Sequence, residues 1–121
     1  MIKILLVDDQ PQVRRGLRMS LALEPASAIV GEAADGQEAL TLAATLQPDV
    51  IVLDVAMPGL DSATVLRALS ACCPRCRTII LSIHDDPATQ AQVYAAGAAA
   101  FISKRESPER LIAALRAHGA G

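Results

Sequence analysis

Five short apolar segments alternate with five segments of helical periodicity along the 121 residues, and this alternation constrains the fold more than any other feature. Each apolar segment is rich in branched or small apolar residues and lacks the 3.6-residue polarity of a surface helix, so each is predicted as a β-strand. The first, third and fourth are apolar on both alternating faces, which is typical of parallel strands covered by helices on both sides. The predicted strands cover residues 2–7, 28–33, 50–53, 78–81 and 99–102.

The five helical segments carry start and stop signals. The first helix is predicted over about residues 11–23, with Pro11 at the first position, where the missing N–H of proline costs no hydrogen bond. Asp35, three residues before Glu38, has the spacing of a capping box and predicts the start of the second helix. The other starts are predicted after Asp61, at Asp86 with Pro87 and at Ser107 with Pro108, and the predicted stops are Pro48 and Gly97.

Five βα units with short connections imply right-handed crossovers and an α/β fold with an open, doubly wound parallel sheet, in which ligands bind at the carboxyl ends of the strands. Asp8 and Asp9 follow the first strand, Asp54 the third, Ser82 the fourth and Lys104 the fifth. Three carboxylates that share a small site repel one another unless a cation intervenes. Because the expected ligands are oxygen atoms, the sequence predicts Mg²⁺ rather than zinc.

Composition and charge exclude several classes of partner. The net charge is −2 and the basic residues are scattered, so this chain by itself is not expected to bind DNA. One Phe, one Tyr and no Trp leave no aromatic surface for stacking bases or a flavin. No apolar run is long enough for a membrane span and the start lacks signal-peptide features, so we expect no membrane partner and a cytoplasmic location.

The three cysteines, Cys72, Cys73 and Cys76, lie in one short segment, and their odd number is unlike a disulfide scaffold. Cys73 and Cys76 form a single Cys-x-x-Cys pair, whereas a zinc site needs about four ligands. Pro74 and Arg75 interrupt a predicted helix end, whereas a redox pair usually opens a helix. We therefore expect free loop thiols with incidental reactivity.

The motifs at the strand ends resemble those of a known family, the receiver domains of bacterial two-component response regulators. They are the run LVDD at 6–9, the run DVAMPG at 54–59, Leu81-Ser82, and Lys104 preceded three positions earlier by Phe101. The resemblance covers essentially the whole chain. The run VRRGL at 13–17 and the run LSIHDD at 81–86 are similar to the NarL/FixJ branch in particular.

This resemblance implies a (βα)5 flavodoxin/CheY-like fold with strand order 2-1-3-4-5, and a switch that a sensor histidine kinase phosphorylates. The chain is then not a turnover enzyme, although it catalyses its own phosphorylation and slow dephosphorylation. The implied roles are Asp54 as phosphoryl acceptor, Asp8, Asp9, Asp54 and the backbone carbonyl of Ala56 as Mg²⁺ ligands, Ser82 and Lys104 as phosphoryl-binding groups, and Phe101 as the switch aromatic.

The sequence departs from the family pattern at several positions. Ser62 and Ala100 stand where many relatives have glycine, and Phe101 lacks the hydroxyl of the more common tyrosine. Ala56 and His84 occupy the two positions that flank the path of the hydrolytic water in relatives. Our hypothesis is that Ala56 cannot orient this water, which favours a long-lived phosphoryl group, while His84 is either a compensating polar group or a solvated loop residue.

Other functions fit the same residues less well. A haloacid-dehalogenase-like phosphatase needs a second aspartate two residues after its nucleophile, where this chain has Ala56. A flavodoxin-like carrier needs a phosphate-binding loop after the first strand and flanking aromatics. A pseudo-receiver that signals without phosphorylation, or a stand-alone interaction module, remains as the alternative.

The expected domain organisation is a receiver domain over residues 1–118, with residues 119–121 as a tail or the start of a linker. The branch resemblance implies a helix-turn-helix output domain outside this chain, through which alone DNA would be bound. A homodimer is expected through the first and fifth helices or through the fourth and fifth.

Overall fold

Strands and helices alternate strictly along residues 1–55, 61–106 and 108–119, which are the residues that a computed structural model of the chain describes. The strands pair only in parallel, in the order β2-β1-β3-β4-β5, which confirms the predicted doubly wound fold. The elements are β1 Ile2–Val7, α1 Pro11–Leu21, β2 Ser27–Ala33, α2 Gly36–Leu46, β3 Val50–Leu53, α3 Ser62–Cys72, β4 Arg77–Ser82, α4 Pro87–Ala95, β5 Ala100–Ser103 and α5 Pro108–Gly119.

Each face of the sheet carries its own hydrophobic cluster. Leu5, Val7 and Ile80 belong to the cluster that α2, α3 and α4 cover. Ile4 and Leu6, the alternating residues of β1, belong to the opposite cluster with residues of α1 and α5. Because successive side chains of a strand point to opposite faces, burial of both sets confirms that helices cover both sides of the sheet.

Two of the predicted helix caps are present as hydrogen bonds. The Asp35 side chain accepts from the Glu38 N–H at 2.8 Å, and the Asp86 side chain accepts from the Thr89 N–H at 3.0 Å. Gly97, which follows the end of α4, has a φ of 116°, a left-handed conformation that glycine adopts without strain. The capping prediction for α2 and α4 is thereby confirmed.

The first helix is shorter than predicted and ends at Leu21 instead of residue 23. Leu23 is exposed, so no apolar contact extends the helix. The next residue, Glu24, is buried and binds Arg116 of α5 at 2.6 Å, which directs the chain away from the helix axis and toward β2.

The fifth helix continues to Gly119, and the boundary between domain and tail at residue 118 stays a prediction. Gly119 packs against the amino end of the sheet, where a Cβ atom would lie 2.7 Å from Cγ2 of Ile2. Ala120 and Gly121, and the predicted cap Ser107, lie outside the described residues. Within the described part of the chain, no helix is long and apolar enough to cross a membrane.

The cysteine segment differs from the prediction of free thiols. Cys73 and Cys76 form a disulfide, with their Cα atoms 5.5 Å apart, and Cys72 is a free, half-buried cysteine. The turn that follows α3 closes this distance, because the Cys76 N–H donates to the Cys73 carbonyl at 3.0 Å. The spacing of the cysteines in the sequence did not reveal this reversal of the chain after α3, which brings Cys73 and Cys76 together.

Candidate functional site

The two central strands present carboxylates at their carboxyl ends. Asp8 directly follows β1 and Asp54 directly follows β3, and these strands are neighbours with Val7 opposite Leu53. The Asp54 N–H donates to the Val7 carbonyl at 3.0 Å, which extends the hydrogen-bond ladder of the sheet by one residue beyond β3. This hydrogen bond fixes the backbone position from which the Asp54 side chain projects. The exposed fractions are 2% for Asp8 and 6% for Asp54, which means that both acids are held out of bulk water.

Asp9 completes a cluster of three carboxylates. One oxygen atom from each of Asp8, Asp9 and Asp54 lies within 4.8 Å of the others, and Asp9 is exposed whereas its two companions are buried. An all-oxygen set with one ligand open to water fits a hard divalent cation such as Mg²⁺, which keeps several waters when bound. Ala56, whose carbonyl is the fourth predicted ligand, lies outside the described residues.

Lys104 joins the two buried carboxylates. Its Nζ lies 3.0 Å from Oδ2 of Asp8 and 3.2 Å from Oδ2 of Asp54, while its backbone N–H donates to the Ser82 carbonyl at 2.9 Å. Burial of the ammonium lowers the pKa of Lys104, but hydrogen bonds and charges from Asp8 and Asp54 outweigh it, and the net pKa is raised. The two carboxylates therefore favour the charged form of the Lys104 ammonium in this site.

Ser82 is the last residue of β4, and its side chain is completely buried. Its Oγ accepts a hydrogen bond from the backbone N–H of His84 at 3.0 Å. His84 itself is exposed and lines a cavity of about 250 Å³ together with Val55 and Thr89. The structure thus places Ser82 beside the Lys104 backbone and His84 on the loop that follows.

Phe101 lies in β5 opposite Ile80 of β4 and is half-buried. It packs against the cluster under α2, α3 and α4, on the same face of the sheet as Ser103 two residues later. Because Phe101 packs against this cluster, its aromatic ring lies on the side of the sheet that α4 covers, one strand away from Ser82.

Two residues that the sequence analysis did not place at the site support the carboxylates. A guanidinium N–H of Arg14, on α1, donates to the backbone carbonyl of Asp8, and its Nε donates to Glu32 of β2 at 3.2 Å. Ser62 donates its hydroxyl to the carbonyl of Val55 at 2.9 Å and so ties the residue after Asp54 to the start of α3. Neither contact was detectable from local spacing, because each partner is distant in sequence or is a backbone atom.

A second cavity, of about 300 Å³, opens between α1 and α5 on the other face of the sheet. Its lining is mostly apolar, with Leu17, Leu81, Ile102 and Leu111, and Lys104 at the rim. None of the three clustered carboxylates lines it, and Lys104 is the residue that it shares with the acidic site.

Comparison with known proteins shows the family to which the chain belongs. Residues 4–116 match the response regulator receiver domain. The chain belongs to this family. The prediction of a receiver domain is thereby confirmed, and the receiver domain includes every one of the clustered carboxylates and Lys104.

The receiver domain is similar to regulators of the NarL/LuxR type. It is 39% identical over 119 residues to the nitrate/nitrite response regulator protein NarP of Escherichia coli, covering 98% of this chain and 55% of NarP. The solved signal receiver domain of the putative response regulator NarL from Mycobacterium tuberculosis is 35% identical, with a TM-score of 0.92 over 99% of this chain and 97% of that one.

A further solved neighbour is RcsB from Salmonella enterica serovar Typhimurium bound to the promoter rprA in the presence of the phosphomimetic BeF3⁻. It is 27% identical, with a TM-score of 0.88, and the match covers 97% of this chain and 98% of that chain. The receiver domain spans about half the length of the curated relatives that it matches, from 49% to 60%.

Proposed function

We propose that the receiver domain accepts a phosphoryl group on Asp54 and switches conformation in response. The observation that carries this proposal is the convergence of Asp8, Asp9 and Asp54 within 4.8 Å, with Lys104 bridging two of them. A nucleophilic carboxylate needs nearby positive charge to approach an anionic phosphoryl group. The Lys104 ammonium supplies one such charge, and a cation held by Asp8 and Asp9 would supply more.

In the proposed reaction a carboxylate oxygen of Asp54 attacks the phosphorus atom of a phosphohistidine on a sensor histidine kinase. The new O–P bond forms an acyl phosphate, the P–N bond breaks, and the imidazole leaves with the electron pair and takes up a proton. Lys104 neutralises charge on the phosphoryl oxygens and Ser82 provides a hydroxyl to them. Mg²⁺ held by Asp8, Asp9, Asp54 and, as proposed from the sequence, the Ala56 carbonyl would supply further neutralisation of those oxygens.

The acyl phosphate then acts as a local charge switch. It adds negative charge and acceptor oxygens where a carboxylate stood, which attracts the Ser82 hydroxyl and the Lys104 ammonium. Displacement of Ser82 would make room for Phe101 to turn inward from the face covered by α4, changing the surface of α4, β5 and α5. Ala56 and His84 are proposed to set the lifetime of the acyl phosphate, with Ala56 unable to orient the hydrolytic water.

The partners follow from the same proposal. The phosphoryl donor is a sensor histidine kinase, and dimerisation occurs through α1 and α5 or through α4 and α5. RcsB, a structural neighbour, binds promoter DNA, and we infer that DNA binding in this protein belongs to an output domain outside residues 1–118. A cytoplasmic location fits a protein that meets a kinase through its receiver domain and DNA through its output domain.

The test is incubation of the chain with Mg²⁺ and either acetyl phosphate or phosphoramidate, followed by intact-mass measurement. We expect a gain of one phosphoryl group, lost when Mg²⁺ is chelated and abolished in Asp54→Ala. The matched control is Asp49→Ala, because Asp49 is a carboxylate just before β3, at the opposite edge of the sheet. Absence of any mass gain in the unchanged chain would favour the pseudo-receiver alternative.

A further inference from the structure

A buried hydroxyl group links two segments of the chain, the loop that follows Ser82 and the end of β5 just before Lys104. The Ser103 Oγ, at the end of β5, donates to Oδ2 of Asp85 at 2.9 Å, and Asp85 lies in the segment between β4 and α4. Only 7% of Ser103 is exposed, and 37% of the Asp85 side chain. We call the Asp85–Ser103 pair the loop latch.

The loop latch is held on both sides by further contacts. The Arg105 N–H donates to the Ser103 Oγ at 3.2 Å, so this hydroxyl both donates and accepts a hydrogen bond. The Ser103 N–H donates to Oε1 of Glu106 at 3.2 Å, and the Asp85 carbonyl accepts from Nε2 of Gln90 on α4 at 2.7 Å. Such a satisfied network between loops has a defined geometry and resists displacement of either partner.

The order of the strands sets the direction in which the loop latch acts. Because β4 lies between β3 and β5, Asp54 and Ser103 are on opposite sides of the segment that begins at Ser82. A phosphoryl group on Asp54 attracts the Ser82 hydroxyl toward β3, whereas the hydrogen bond from Ser103 holds Asp85 toward β5. The Ser82 Oγ is also engaged by the His84 N–H, so the hydroxyl, His84 and Asp85 belong to one constrained segment.

We propose that the loop latch stabilises the unphosphorylated arrangement and opposes the movement of Ser82 toward Asp54, so that Asp85 and Ser103 are positioning residues that set the threshold of the switch. This inference rests on the proposed phosphorylation of Asp54. Loss of the latch increases the population of the phosphorylation-competent arrangement before any phosphoryl group arrives.

The experiment measures the initial rate of phosphoryl mass gain from limiting phosphoramidate with Mg²⁺, in the full chain and its variants. We expect Ser103→Ala and Asp85→Asn to react faster, by about fivefold for Ser103→Ala, the factor that one intramolecular hydrogen bond of typical net strength contributes to a two-state equilibrium. Hydrogen exchange of the amides in segment 83–86 should also be faster in both variants without phosphoryl donor.

Matched variants separate the latch from a general loss of structure. Ser103→Thr keeps the hydroxyl and should retain the original rate, and Ser70→Ala removes a hydroxyl from the exposed face of α3 and should do the same. If one bond is responsible, the double variant Ser103→Ala with Asp85→Asn should be no faster than Ser103→Ala alone. If the substitutions only destabilised the fold, the initial rate of phosphoryl mass gain would fall instead.

Rates that are unchanged or slower in both Ser103→Ala and Asp85→Asn, while the unchanged chain gains its phosphoryl group normally, would overturn the loop latch but leave the proposed function intact. A lack of mass gain in the unchanged chain would overturn the proposed function and the latch together. The two failures are therefore distinguishable in one series of measurements.

Discussion

At the carboxyl ends of the strands, the free-energy cost of burying a charged side chain is offset by a neighbouring side chain of opposite charge. Asp8 and Asp54 are nearly inaccessible to water, and two carboxylates this close would repel each other without the Lys104 ammonium between them. Arg14 adds a guanidinium contact to the Asp8 backbone. The charge balance of the site thus depends on Asp8, Asp54 and Lys104, which are far apart in sequence, and removal of any one of the three leaves a buried polar group with a lost partner.

Phe101→Ala separates phosphoryl acceptance from its transmission. Phe101 packs against the hydrophobic cluster under α4 and supplies no group to the proposed phosphoryl transfer, so the rate of phosphoryl mass gain should stay within about twofold. Because the ring is half-buried, its removal should lower the free energy of unfolding by roughly 2 kcal/mol. The phosphorylation-dependent change in hydrogen exchange of α4 and α5 should disappear.

Phe101→Leu serves as the control for this variant, since it keeps most of the buried apolar volume but not the ring. A normal exchange response in Phe101→Ala would show that transmission takes another route. Mass spectrometry with hydrogen exchange gives both measurements on one sample.

An aspartate precedes each of the helices α2, α3 and α4 and accepts a hydrogen bond from the first turn of that helix. Asp35 at the start of α2 and Asp86 at the start of α4 each accept a backbone N–H, and the hydrogen bonds from Thr89 lower the pKa of Asp86. Asp61, before α3, accepts instead from the hydroxyl of Thr64 and caps no backbone N–H. Three aspartates in similar sequence positions therefore contribute differently to their helices.

Asp35→Ala should lower the free energy of unfolding by about 1 kcal/mol, because the Glu38 N–H loses its side-chain acceptor. Asp61→Ala is the matched control and should cost at most about 0.5 kcal/mol, since it removes no backbone cap. Urea unfolding followed by circular dichroism measures both. Equal losses in the two variants would contradict the assignment of the cap from the hydrogen-bond geometry.

Sequence patterns predicted which elements exist and where β1, β2 and β3 end, but not where β4 and β5 end. Both β4 and β5 extend to a serine, Ser82 and Ser103, that the apolar runs did not include. A strand continues wherever its backbone pairs with a neighbour, and these two serines are opposite each other in the ladder. Apolar composition therefore marks the buried centre of a strand and misses polar residues that remain in register.

At the scale of the whole molecule, two hydrophobic clusters back to back make the sheet dependent on helices from both ends of the chain. Leu111 and Leu115 of α5 are buried against the face that includes Ile4 and Val50. Among the described helices, α1 is the other one on that face, so α5 is needed to exclude water from the centre of the sheet.

A chain ended after Glu106 should therefore fail to fold cooperatively, because the apolar face under α5 would be exposed. The expected result is strong binding of the dye ANS and loss of a sharp urea transition. A chain ended after Gly119 keeps the whole of α5 and should unfold like the full chain. A sharp transition in the shorter chain would show that α5 is dispensable for the core.

Patterns in the amino-acid sequence were enough to predict the order of strands and helices, the parallel doubly wound sheet, the caps at Asp35 and Asp86, and the acidic and basic residues at the strand ends. These features follow from periodicity and local hydrogen bonding, which depend on neighbours within a few residues. Packing of the folded chain sets the pairing of Lys104 with Asp8 and Asp54, the contact of Arg14 with the Asp8 backbone, the disulfide of Cys73 with Cys76 and the loop latch. Each of these depends on the distance and direction between atoms of different elements or across a chain reversal, which only the packed chain sets.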